Sequence, residues 1–86
     1  MAARNHNRIA ARRGLNAVDL KVLQAAANGM GRMQSAKALG ISYMRVVKVR
    51  RRVKAQLGYP VNSQFAKAVE FAVNAGIVRR QVSTNR

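Results

Sequence analysis

Three features of the chain predict an all-α domain built around a helix-turn-helix. From Ala36 to Leu57 the sequence reads A-K-A-L-G-I-S-Y-M-R-V-V-K-V-R-R-R-V-K-A-Q-L, a short apolar helix pattern running through a glycine into a capped, basic helix. Within the second of these helices Val46, Val49, Val53 and Leu57 recur at spacings of 3, 4 and 4, which places them on one face of a 3.6-residue period. Four of the six glycines, Gly29, Gly40, Gly58 and Gly76, each follow such a pattern, the position at which a residue tolerant of positive φ closes a helix.

Four helices follow in order. The first has Asn16 as its N-cap and Asp19 three residues on, with Leu15 and Leu20 at the positions of a hydrophobic staple. Leu15, Val18, Val22, Leu23 and Ala26 face inward in this reading. The second spans Arg32 to Leu39 with Met33, Ala36 and Leu39 inward. Gly40-Ile41-Ser42 then forms the turn: the Ser42 hydroxyl caps the third helix and Ile41 is set to staple onto Val46. The third helix runs from Tyr43 to Leu57 and stops at Gly58. Tyr59-Pro60-Val61 is a connector, because proline restricts the residue before it. The fourth starts near Asn62 or Ser63, carries Phe65, Ala66, Val69, Ala72 and Val73 at helical spacing, and ends at Gly76, after which Ile77 and Val78 fold back onto the body. The expected organisation is a basic arm at 1–14, the domain at 15–78 and a basic tail at 79–86, both arm and tail disordered when free.

Composition narrows the class of partner. Lys and Arg number 17 against 2 acidic residues, a formal charge of +15 on 86 residues, so the folded chain repels itself and calls for counter-charge, which nucleic acid most commonly supplies. A membrane-surface helix needs a continuous apolar face with Trp, Phe or Leu. Here there is no Trp, and the two Phe lie close together in one late segment. No apolar run is long enough to span a bilayer, and M-A-A-R-N-H-N-R lacks the apolar stretch of a signal peptide; a cytoplasmic protein is expected. Without cysteine there is no disulfide or thiolate metal site, so stability rests on packing of a core made mostly of Ala and Val.

The segment from Leu15 to Val78 resembles the DNA-binding domain of LuxR-type (GerE-like) transcription regulators. The matching phrases are Leu15 to Asp19 for the family's opening L-T-P-R-E, Ala36 to Val49 for A-x-x-L-G-I-S-x-x-T-V-K-x-H, Val53 to Gly58 for I-x-x-K-L-G, and Gly76-Ile77-Val78 for a closing Gly with two apolar residues. Ala17, Ser35, Arg45, Val47 and Val49 depart from it, standing where proline, an apolar residue, threonine, lysine and histidine are usual. The resemblance implies a stand-alone reader of duplex DNA with no sensor domain, of bacterial or phage origin, that dimerises through its last helix.

With the valine stripe turned inward, the outward face at the start of the third helix carries Met44, Val47, Lys48 and Arg51. In helix-turn-helix proteins this end of the helix meets base edges in the major groove. The resemblance implies that Val47, Lys48 and Arg51 are the residues that reach bases. Lys48 and Arg51 suit guanine O6 and N7, and Val47 suits the thymine methyl. Arg45, Arg52 and Lys54 on the flanks are expected at phosphates, with Ser42, Tyr43 and Arg32. Arg4, Arg8, Arg12 and Arg13 in the arm are expected along the backbone or in the minor groove. Phe65, Ala66, Val69 and Val73 form the expected dimer interface.

Enzymatic chemistry has little to stand on. Asp19 and Glu70 are the only carboxylates, Asp19 is accounted for by capping, and a single His6 makes neither a general base pair nor a metal site. G-M-G at 29–31 lacks the lysine and strand context of a phosphate-cradling loop. No enzyme activity, cofactor or metal is expected. The expected function is a sequence-specific, double-stranded DNA-binding transcription regulator acting as a homodimer. The alternatives are a nucleoid-associated or DNA-coating protein that uses charge alone, and an adaptor that binds RNA polymerase or another transcription protein.

Overall fold

In a computed structural model of the chain, residues 14–79 are described. Four helices follow one another: α1 (Ala17–Ala27), α2 (Arg32–Leu39), α3 (Tyr43–Gln56) and α4 (Phe65–Asn74). There is no strand among the described residues. The expected tail from 80 onward and the arm residues 1–13, with Arg4, Arg8, Arg12 and Arg13, lie outside them.

Local chemistry starts the first three helices. Asn16 Oδ1 accepts the Asp19 backbone N–H at 2.9 Å while Asp19 Oδ2 accepts the Asn16 N–H at 3.0 Å, a reciprocal box that satisfies two donors at the start of α1. Ser42 Oγ accepts the Arg45 N–H at 3.1 Å and starts α3 as its position predicts. For α2 the N-cap is Gly31, and only the returning half of the box exists, from Gly31 N–H to Gln34 Oε1 at 3.1 Å.

A common device ends all four. At the end of α2 the Ile41 N–H reaches back to Ala36 O at 3.1 Å and the Gly40 N–H to Lys37 O at 3.3 Å, the paired bonds of a Schellman motif. Gly40 itself sits at φ 67°, where a Cβ is disfavoured. Equivalent pairs close α1, α3 and α4 through Met30, Tyr59 and Ile77.

Both α1 and α3 pack against every other helix. Val22, Leu23, Val46 and Val53 are fully buried, and Val49, Leu57, Ala68, Val69, Ala72, Ile77 and Val78 join the interior. Each fully buried Val or Leu contributes about 1.5–3 kcal/mol. The inward stripe of α3 is thus as its spacing predicts. Leu15 is buried, with Leu20, Val18 and Ala26 partly buried against the same cluster. The chain beyond α4 is clipped to α1: Gln24 Nε2 donates to Arg79 O at 2.6 Å and Gln24 Oε1 accepts the Arg79 N–H at 3.1 Å.

Two details differ from expectation. In α2 the buried positions are Ser35 and Ala36, while Met33 is 65% exposed. The helix has only eight residues, so its inward arc is narrow, and packing on α1 and α3 selects 35 and 36 over 33. The fourth helix begins at Phe65 and not at Asn62 or Ser63. Residues 60–63 form a turn in which Ser63 donates to Pro60 O from both N–H (3.0 Å) and Oγ (2.6 Å). The Lys54 ammonium takes the carbonyls of Val61 (2.6 Å) and Ser63 (2.8 Å), which removes those oxygens from any helical ladder.

Candidate nucleic-acid interface

Because Val46, Val49 and Val53 are buried, the opposite side of α3 is presented to solvent. Met44 is 58% exposed, Tyr43 41%, Lys48 and Arg51 are exposed, and Val47 is half-buried. Met44, Val47, Lys48 and Arg51 therefore form one ridge, and neither Lys48 nor Arg51 has a hydrogen-bond or ion-pair partner among the described residues. Each borders a shallow depression: Lys48 lines one with Met44, Arg45 and Arg52, while Arg51 and Val47 line another on the α4 side. The three-residue turn and the Ser42 cap hold the start of this ridge.

The flanking cations divide into free and engaged groups. Arg45 is exposed, with its side chain unpaired. Arg32 lies over the Tyr43 ring, its Cζ 5.8 Å from the centroid, which links the start of α2 to the start of α3 through a cation–π contact. Arg52 Nε donates to Asp19 Oδ2 at 3.3 Å. Lys54 is bound to the Val61 and Ser63 carbonyls. For Arg52 and Lys54 the phosphate role expected from the sequence is joined by a structural one, because both sit where α3 meets other parts of the fold. Ser42 likewise spends its hydroxyl on the cap.

Arg50 is the residue that sequence spacing passes over. Its guanidinium stacks on Phe65, with Cζ 4.7 Å from the ring centroid, and donates from Nη2 to Met30 O at 3.3 Å. Its Nε is buried with no acceptor, and no carboxylate lies within ion-pair distance, among the described residues. Burial holds the guanidinium below its usual pKa, and the nearby charge of Arg32 acts in the same direction, opposed by Tyr43. The signal was present: position 50 is four after Val46 and three before Val53, the edge of the inward stripe, where a long basic side chain lays its stem on apolar surface.

The expected dimer residues of α4 lie on one side of the helix but differ in burial. Val69 is 7% exposed and belongs to the core, so its expected place in an interface is corrected: α4 turns Ala68, Val69 and Ala72 inward together. Phe65 and Val73 are half-buried, and Ala66 is exposed.

No helix among the described residues is long and apolar enough to cross a membrane. No family model, curated protein or solved structure matches the chain. The likeness to LuxR-type domains rests on its four sequence phrases.

Proposed function

We propose that this helix-turn-helix domain binds double-stranded DNA in a sequence-dependent way, with α3 in the major groove, and regulates transcription in a bacterial or phage-infected cytoplasm. The observation that carries the reading is the α3 ridge of exposed Met44, Lys48 and Arg51 with half-buried Val47, opposite a buried valine stripe, in a chain of net charge +15. Lys48 and Arg51 supply donors for guanine, Val47 and Met44 an apolar surface for thymine methyls. The surrounding arginines supply phosphate contacts that orient the helix. A homodimer on two half-sites fits the mode of this class, its contact resting on Ala66 and the open edges of Phe65 and Val73.

Selecting a preferred site from a random duplex pool, followed by competition against random duplex, tests the proposal. A regulator binds its site ~10³-fold or more tightly than random sequence. Affinity falls steeply with salt, with a log–log slope of roughly −5 to −9 for about 6–10 neutralised phosphates. Removing residues 1–13 flattens that slope. Equal affinity for all duplexes assigns the chain to the DNA-coating class instead, and absence of duplex binding at low salt refutes both.

A further inference from the structure

Between the start of α2, the outer side of α3 and the start of α4 lies an open cleft of about 410 Å³. Arg32, Arg50, Arg51 and Lys54 line it with Gln64 and Phe65, and no Asp or Glu among the described residues does. Four cations around one cleft repel one another. Arg52, by contrast, has Asp19. Arg50 is the most consequential of the four: it is half-buried, stacked on Phe65 and tethered to the Met30 carbonyl, without an ion-pair partner among the described residues, and Glu70 borders only the neighbouring depression on its other side. Buried charges are ordinarily paired, so a partly desolvated guanidinium with no ion pair among the described residues, beside three other cations, marks a place where an anion is favoured.

We infer that this cleft is a phosphate-binding site, with Arg50 as its anchoring cation. Phosphate suits it better than a single carboxylate, since three arginines line the cleft and a guanidinium fork matches tetrahedral oxygens in pairs. Arg50 is already held by Phe65 and Met30, so little side-chain freedom is lost on binding. Partial burial strengthens its attraction to an anion relative to an arginine in open water. The source of the phosphate follows from position and rests on the duplex-binding reading. Val47 and Arg51 belong both to the outward ridge of α3 and to the wall of the cleft, so an occupant lies immediately beside the face offered to the major groove, where a backbone phosphodiester borders it. The cleft then sets the register of α3 on the duplex without reading sequence.

The test uses the full ¹⁵N-labelled chain and two probes, inorganic phosphate and a set of unrelated duplexes. Phosphate is expected to shift amides at Arg32, Arg50, Gln64 and Phe65 saturably, and Arg50→Gln to abolish this while Arg45→Gln leaves it intact. On duplexes Arg50→Gln lowers affinity by the same factor for every sequence, roughly 10- to 100-fold for a charge-assisted bond, and reduces the salt slope by about 1. If Arg50→Gln disturbs the fold, the exposed Arg32→Gln gives the same readout more weakly. Loss of phosphate binding with unchanged duplex affinity upholds the site and makes a free phosphate-bearing ligand its occupant. Saturable phosphate binding in a protein that binds no duplex also upholds it, while the DNA reading fails. Shifts spread evenly over all basic segments, or phosphate binding indifferent to both substitutions, overturn the inference.

Discussion

Arg52 Nε donates to Asp19 Oδ2 at 3.3 Å, joining α3 to the first turn of α1, and the same carboxylate oxygen accepts the Asn16 N–H that closes the capping box. One acidic group thus starts a helix and ties the basic helix to it. Asp19 is 1% exposed, whereas the Arg52 side chain is 50% exposed. Removing the arginine leaves a buried carboxylate with one fewer donor, but solvent on the arginine side limits the loss. Arg52→Met is expected to destabilise the fold by about 1–2 kcal/mol, against less than about 0.5 for Arg45→Met on the open surface. Urea unfolding midpoints at constant m-value check the difference, and equal effects would show that the pair contributes nothing beyond surface charge.

Lys54 bridges the carbonyls of Val61 and Ser63, which ties the end of α3 to the turn before α4. Lys54→Met is expected to cost about 1–2 kcal/mol, at the lower end for bonds to a charged donor because the site is partly wet. Hydrogen exchange then accelerates at the Ser63 and Lys67 amides ahead of those in α1. Uniform acceleration across the chain contradicts a local strap.

Ser35 is fully buried in α2 and its Oγ has no partner among the described residues. A desolvated, unbonded hydroxyl opposes folding. Ser35→Ala is therefore expected to stabilise the domain by about 1 kcal/mol, raising Tm by about 4–8 °C for a domain of this size. A fall in Tm shows that the hydroxyl is bonded in solution.

Base readout separates Arg51 from Arg45. On the selected site Arg51→Ala is expected to lose ~1–3 kcal/mol and relax the choice at one base pair, with Lys48→Ala acting at a neighbouring one. Arg45→Ala weakens all duplexes alike. Affinities on single-base variants at fixed salt check the contrast, and uniform losses for all three make α3 a phosphate-binding element only.

Two positions in α4 distinguish core from contact. Val69→Glu buries a charge and is expected to unfold the domain, visible as loss of the helical dichroism. Ala66→Glu lies on exposed surface, keeps the fold, and is expected to weaken self-association measured by sedimentation. A protein monomeric at high concentration both with and without a two-half-site duplex refutes the dimer.

Local signals carried the helices. Asn16, Ser42 and the glycines act on bonds within six residues of themselves, so the caps, the Schellman ends and the turn at 40–42 were readable along the chain, as was the valine stripe of α3, long enough for its period to be unambiguous. On short or alanine-rich helices the period loses that power. Met33 and Ser35 in α2, and Val69 in α4, took their inward or outward places from which neighbouring helix they met.

By itself, then, the sequence determined an all-α chain of four glycine-terminated helices with an excess of positive charge and one basic helix of defined inner face. Only the tertiary structure decided what each cation does. Arg52 meets Asp19 across 33 residues of chain, Arg50 meets Met30 across 20, and Lys54 turns to the connector, whereas Lys48 and Arg51 remain open to solvent. Charge count is a property of composition, but pairing and desolvation depend on distances between segments that only the packed core brings together.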